Sequence, residues 1–344
     1  MDKAATNYSA KNYRLILLGL SLMLIFMTII SIGIGRFSIA PGEVIEILGS
    51  GLWPGQVSYS EQAASVIYTL RLPRVIAAII IGAALAVSGA AYQSVFKNPL
   101  VAPDMLGVSS GACVGAALAI LAGFSQIGVQ LGAFIGGILA VSCAVLIPRI
   151  IGKNTIVMLV LSGIIVGGLT NSLLGIIKYI ADADTQLPVI TYWQMGSLVS
   201  VVWGNIFYNG VPILIGIIFI LCIRWRMNIL TLSEEETHML GKNAGWLRYA
   251  IIICATVLTA CSVCISGTIG WIGLVIPHFS RMLVGPNNQR LLPVAIVLGA
   301  VFLLFIDTLS RAVIDSEIPL SILTGIIGAP FYFYLLIKQR MMLQ

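Results

Sequence analysis

Charge is what this chain has least of. Only 9% of its 344 residues are Asp, Glu, Lys or Arg, against 59% hydrophobic, and the mean hydropathy is +1.03. Period-two alternation is missing as well, which argues against a membrane β-barrel. Uncharged stretches of about twenty residues or more recur along the chain instead, the length that crosses a bilayer as a helix. Helices satisfy their own backbone hydrogen bonds in lipid. The expectation is an all-α, multi-pass integral membrane protein, a single membrane unit over 1–344.

Catalytic equipment is also wanting. There is no GxxxxGK[ST]: the Gly-Lys pairs at 152–153 and 241–242 are each followed by Asn, so the chain has no P-loop of its own. There is no HExxH, and His238 and His278 are the only histidines. Asp182 and Asp184 belong to a loop. All six cysteines fall in apolar runs; Cys261 and Cys264 form a CxxC with no second pair and no nearby His, so small buried hydrophobes are the better reading. No enzyme, metal or bound cofactor is expected. Coupled secondary transport needs ionisable groups inside the membrane. The one clear carboxylate there is Asp307, and Arg311 at i+4 makes it an ion pair. The net charge of +6 needs no nucleic acid, because membrane proteins gather Lys and Arg on one side.

What is present is a series of apolar runs. Ten helices are predicted, over 15–35, 74–96, 105–122, 127–148, 155–178, 203–223, 249–267, a short one at 271–284, 290–311 and 318–337. The first exceeds a signal-peptide core and lacks a cleavage site, so a retained helix is expected. The uncharged 105–148 stretch must cross twice, breaking near Gly123–Gly128. With both termini inside, fourteen of the nineteen Lys and Arg fall on the inner side and five outside. Omitting the eighth helix gives eleven and eight, so the positive-inside bias favours ten crossings and cytoplasmic termini. Small residues at Gly82, Ala86, Gly89, Gly163, Gly167 and Gly168 predict close helix packing.

Three polar regions interrupt the runs. Residues 37–70 form a long outer connection with an amphipathic surface segment. Between 224 and 248 lies the longest polar stretch; Ser233 followed by Glu234, Glu235 and Glu236 is an N-cap signature, and Gly241 a C-cap, predicting a short helix at 233–240. The acidic run is either a docking surface or a solvated capping turn. Between the second and third helices, "KNPLVAPDMLG" (97–107) carries two prolines that stop the flanking helices from merging, with Asn98 able to bond freed backbone groups. Arg71 and Arg74, at i,i+3, share one face at the outer end of the second helix. Snorkelling anchors would account for them.

The blocks "RLPRVIAAIIIGAALAVSGAAYQSVFKNPLVAPDMLGVSSGA" (71–112), "GTIGWIGLVIPHFSRMLVGPNNQRLLPVAIVLGAVFLLFIDTLSRAV" (267–313), "IPLSILTGIIGAPFYFYLL" (318–336) and "YWQMGSL" (192–198) resemble the permeases of ABC importers for iron chelates and vitamin B12, of the FecCD type. The resemblance covers about 15–338. It implies a ten-helix permease that dimerises, as two copies or with a close relative, around a translocation path. Two cytoplasmic ATPases that use ATP and an extracytoplasmic binding protein complete the machine. It assigns Asn98 and Leu100, with Asn154 and Thr155, to a cytoplasmic gate. Arg71, Arg74 and Arg311 would dock the binding protein. Ser233, Glu234, Glu235, Glu236, Leu240 and Gly241 would couple to the ATPase. "YWQMGSL" is expected to be a turn before the sixth helix. Pro277 and His278 are expected to end and position a broken helix. Ferric siderophore is the favoured cargo by analogy, with vitamin B12 or haem as alternatives and a secondary transporter or channel as the reading from another class.

Overall fold

A single long helix organises the molecule. The computed structural model describes residues 10–35, 37–50, 60–152, 155–230, 244–314 and 316–342, and among these there is no strand. In chain order the helices are α1 (Ala10–Gly33), α2 (Pro41–Ser50), α3 (Glu61–Phe96), α4 (Val108–Leu121), α5 (Gln126–Ile151), α6 (Ile156–Ile180), α7 (Gln186–Met195), α8 (Trp203–Leu230), α9 (Ala244–Ser266), α10 (Ile272–Val284), α11 (Asn288–Ala312) and α12 (Leu320–Met342). Seven are long and apolar enough to cross a membrane, and three shorter ones are apolar: Val108–Leu121, Ile272–Val284 and Leu320–Tyr334. The ten expected apolar segments are all present. α2 and the start of α3 lie within the 37–70 connection, and α7 is a helix that the sequence did not suggest.

From Leu72 to Phe96 α3 is buried almost throughout, with α8, α9, α10 and α11 packed around it. Its small residues allow this. A Cβ on Gly82 would lie 2.2 Å from the Gly299 carbonyl oxygen on α11, and one on Gly89 would lie 1.9 Å from that of Gly273 on α10. Backbone thus meets backbone, the close approach that drives helix association where lipid removes the hydrophobic incentive. Gly163 is equally tight, against the Met105 carbonyl. Gly167 and Gly168, predicted alongside it, have open space there: a Cβ on either would meet nothing within 4 Å. They lie on the more open side of α6, so packing does not explain them.

Proline shapes α3 in its N-terminal third. Pro73 has no N–H to continue the helical ladder, and the turn before it widens to a π-helix over Val66–Arg71, with Leu72 N–H bonding the Ile67 carbonyl. At the other end Lys97 adopts a left-handed conformation, φ 51°, and both its N–H and that of Asn98 return to the Gln93 carbonyl. That is how a helix ends when the chain must reverse.

Two helices fall short of a full crossing. α4 has 14 residues and α10 has 13, about 20 Å each at 1.5 Å per residue, against about 30 Å of hydrocarbon. Segments outside any α-helix precede both, at 97–107, with a 3-10 turn over Pro103–Leu106, and at 267–271; the first lies close to α10, where a Cβ on Gly273 would sit 2.6 Å from the Pro103 ring. Val101, Pro103 and Leu106 are buried, so irregular backbone here is sheltered by protein rather than lipid.

One local expectation is corrected. Pro277 does not end a helix; it is buried inside α10, which begins after Trp271 (φ 70°) and runs to Val284. The turn expected within 192–198 is present at Gly196, φ 76°, before α8, and Tyr192–Met195 ahead of it is the last turn of α7. An apolar ten-residue helix containing a proline offers too little periodicity to be seen beside longer spans.

Candidate functional site

Around Arg71 and Arg74 of α3 five charged side chains meet. Asp307, on α11, is fully buried. Arg74 Nε donates to its Oδ1 at 2.9 Å, and Nη2 lies 2.8 Å from the same oxygen. The far edge of the same guanidinium grips Glu317 in an end-on fork, Nη1 to Oε1 and Nη2 to Oε2, both 2.8 Å. Planar, two-edged donors make arginine suited to holding two carboxylates at once. Arg311 Nε is 3.2 Å from Asp307 Oδ2, so the i,i+4 ion pair expected from the sequence exists.

The other two arginines turn toward α1. Arg71 Nη1 donates to the carbonyls of Ile32 (2.5 Å) and Gly33 (3.0 Å), and Nη2 to that of Phe37. Arg311 bonds the Ser31 carbonyl (3.1 Å), the Ser31 hydroxyl (2.8 Å) and the Ile34 carbonyl (3.1 Å). A helix end leaves carbonyls unpaired and carries partial negative charge. Two guanidiniums therefore close the C-terminus of α1 with both charge and donors. Arg71 and Arg74 are thus not snorkelling anchors: each guanidinium is engaged by partners within the chain. Both are more than 90% buried and used inside the chain, because the topology brings α1 and α11 against the end of α3.

The turn between α3 and α4 is the second feature. Lys97, Asn98, Pro99 and Leu100 are exposed. The Asn98 side chain accepts the Leu100 N–H at 2.9 Å, and its carbonyl accepts that of Val101 at 3.3 Å. Pro99 and Pro103 have no N–H to be satisfied. The result is a short, self-bonded, non-helical projection, as the sequence suggested. Thr155 caps α6 by accepting the Met158 N–H at 3.3 Å. It lines a cavity of about 220 Å³ with Val145, Pro148, Arg248 and Tyr249, at the foot of α9. Asn154 lies outside the described residues. So do Ser233, Glu234, Glu235, Glu236, Leu240 and Gly241.

Sequence reasoning missed two things. Glu317, not singled out by any motif, shares Arg74 with Asp307. Asp307 itself was paired with Arg311 alone. No local spacing reveals either link, since 233 and 243 positions separate the partners.

A ten-segment apolar bundle with a central small-residue helix, a proline-built turn and no catalytic constellation in its sequence has the organisation of a transporter subunit. Residues 23–338 match the FecCD transport family. The chain belongs to that family. It is 40% identical over 329 residues to the molybdate import system permease protein MolB of Haemophilus influenzae, covering 96% of this chain and 97% of that one. It is 39% identical over 275 residues to the "Probable iron chelatin transport system permease protein" of Helicobacter pylori, covering 80% and 83%. Among solved structures, one described as an inward-facing conformation of a metal-chelate type ABC transporter superposes with TM-score 0.86 at 39% identity, over 94% of this chain and 99% of that one. The FecCD permease described here is accordingly a multi-pass membrane subunit of an ABC importer and not an enzyme; ATP hydrolysis resides in a separate subunit.

Proposed function

We propose that this permease carries a ferric siderophore into a bacterial cytoplasm by alternating access, as one half of a permease pair driven by two ATPases and supplied by an extracytoplasmic binding protein. The observation that carries the cargo reading is one exposed stripe of α6: Val157, Leu161, Ile164, Gly168, Asn171 and Gly175. It recurs at three- and four-residue spacing and bears no charge. Lining a path, such a surface passes a bulky chelate whose metal charge is already wrapped, and holds it weakly enough to release it. Molybdate is the second reading, favoured by the 40% identity to MolB. A bare oxyanion needs donors, and Asn171 with the neighbouring exposed Ser172 would supply them.

In this reading Asn98 and Leu100 close the cytoplasmic mouth together with Asn154 and Thr155. The exposure and self-contained bonding of the 97–100 turn support it. The 233–240 segment engages the ATPase; its acidic N-cap sequence and its position just before the foot of α9 support that. Both termini are cytoplasmic, as the distribution of Lys and Arg favours. The binding protein docks at the arginine cluster. Among the described residues three guanidiniums there face two carboxylates, an excess that complements an acidic partner.

Uptake of labelled ferric siderophores, molybdate, haem and vitamin B12 by a deletion strain, with and without the gene restored, tests the cargo. Recovery of siderophore uptake alone is expected. Recovery of molybdate uptake alone would replace the first reading by the second, and uptake persisting without any ATPase would overturn the importer mechanism.

A further inference from the structure

Arg74 holds two carboxylates that are unlike. Asp307 is on α11, fully buried, and fixes the guanidinium through Nε. Glu317 belongs to the connection between α11 and α12, and 28% of its side chain remains exposed. Only the Glu317 side of the Arg74 fork faces outward, and only that partner can leave without uncovering the buried acid. Removing Glu317 with nothing in its place would leave the outer edge of a poorly solvated guanidinium without an acceptor, although Asp307 still holds Nε. Exchanging it for another carboxylate arriving along the same direction would not, because the fork accepts any such group in the same geometry.

Glu317 also restrains more than itself. Its neighbour Ile318 is tied to Ser310 at the end of α11, N–H to carbonyl at 3.3 Å and Ser310 hydroxyl to the Ile318 carbonyl at 2.6 Å. Two residues on, Leu320 N–H bonds the Gly196 carbonyl, and the Ser321 hydroxyl bonds that of Thr268. The start of α12 is therefore held against the end of α7 and the 266–268 segment by its own bonds, and Glu317, three residues before it, ties the same stretch of chain to α3.

We propose that Glu317 is an exchangeable arm. At rest it occupies the Arg74 fork, and on docking it yields the fork to a carboxylate of the binding protein, releasing the 313–319 connection and the outer end of α12. This rests on the docking reading above and adds a competition to it: the permease carries its own stand-in for the partner's acid. Docking at this point and loosening of α12 become one event. The coupling is limited to the difference in affinity of the fork for the two carboxylates.

The test uses the complete transporter in lipid nanodiscs and the purified binding protein of the same importer, with affinity measured at low and high salt for the unaltered permease, Glu317→Gln, Arg74→Lys and the double variant. Glu317→Gln leaves the Arg74–Asp307 pair intact. It is expected to tighten docking about tenfold, the scale of one charge-assisted hydrogen bond removed from the competing state, and to have no such effect in the Arg74→Lys background. A spin label at position 316, on an exposed side chain, should gain mobility in Glu317→Gln without partner and in the unaltered chain only on docking. If Glu317→Gln docks no more tightly while Arg74→Lys docks more weakly, the exchange is overturned and docking at Arg74 stands. If Arg74→Lys docks as well as the unaltered chain, the docking reading fails and the exchange with it.

Discussion

Arg74 and Asp307 are 233 positions apart in the chain and joined by a 2.9 Å hydrogen bond in a buried site. Each is the condition for the other's burial. An isolated carboxylate at this depth would be costly, and a guanidinium beside it supplies both charge and donors. Replacing Arg74 by Met should destabilise the permease by about 1.5–3 kcal/mol, the scale of a lost hydrogen bond to a charged group, because Asp307 keeps Arg311 at 3.2 Å as its remaining cation. Replacing Asp307 by Leu as well should restore much of that loss. Thermal unfolding in detergent of the single and paired variants checks this; equal losses that simply add would show that the two side chains act independently.

Gly89 and Gly167 make a contrasting pair. A methyl at position 89 would overlap the Gly273 carbonyl, whereas position 167 is open. Gly89→Ala should therefore lower stability by about 1–3 kcal/mol or more through forced separation of α3 and α10. Gly167→Ala should be stable, and if anything favoured by helix propensity. Unfolding temperatures of the two variants decide it, and a larger loss at 167 would contradict the packing described.

The 97–100 turn gives a prediction for transport. Cysteines introduced at 98 or 100 in both members of the permease pair should cross-link under mild oxidation and stop uptake, with reductant restoring it. Continued uptake in cross-linked protein would remove Asn98 and Leu100 from the gate. The native cysteines at 143 and 222 are exposed, so the experiment requires a background in which they are replaced.

The acidic stretch at 234–236 can be separated from folding. Changing the three glutamates to lysine should leave the membrane bundle assembled, because they lie outside its apolar runs, while uptake and its associated ATP hydrolysis fall together. Normal uptake in that variant would mean the segment is a solvated turn with no coupling role.

Asp182 offers a pH test outside the membrane. Its carboxylate accepts the Thr185 hydroxyl at 2.6 Å and the N–H groups of Thr185 and Asp184, and the Thr185 hydroxyl bond leads in holding its pKa below the ordinary value. A lowered folded-state value means the bonds stabilise the α7 entry above the unfolded value of about 3.9 and are lost as pH falls through the lower folded one. Hydrogen exchange at 183–187 should accelerate below about pH 4 in the unaltered chain and be fast at neutral pH in Asp182→Ala.

Much of this permease is decided locally. The scarcity of charge and the length of the apolar runs require helices that cross a bilayer, because backbone groups in lipid have no other partner. Proline at 99 and 103 forces the α3–α4 break whatever surrounds it, and Asp307–Arg311 is one turn of a single helix. Where local signals are weak, the sequence is silent: α7 is short, apolar and proline-containing, and Pro277 is tolerated within α10 because packing outweighs the lost hydrogen bond. The use of the arginines belongs to the tertiary structure alone. Spacing on α3 says that Arg71 and Arg74 share a face, but not that one closes the end of α1 while the other bridges two acids. Those partners reach α3 only when α1 and α11 pack against it, and a charge is satisfied by what surrounds it in space rather than by its neighbours along the chain.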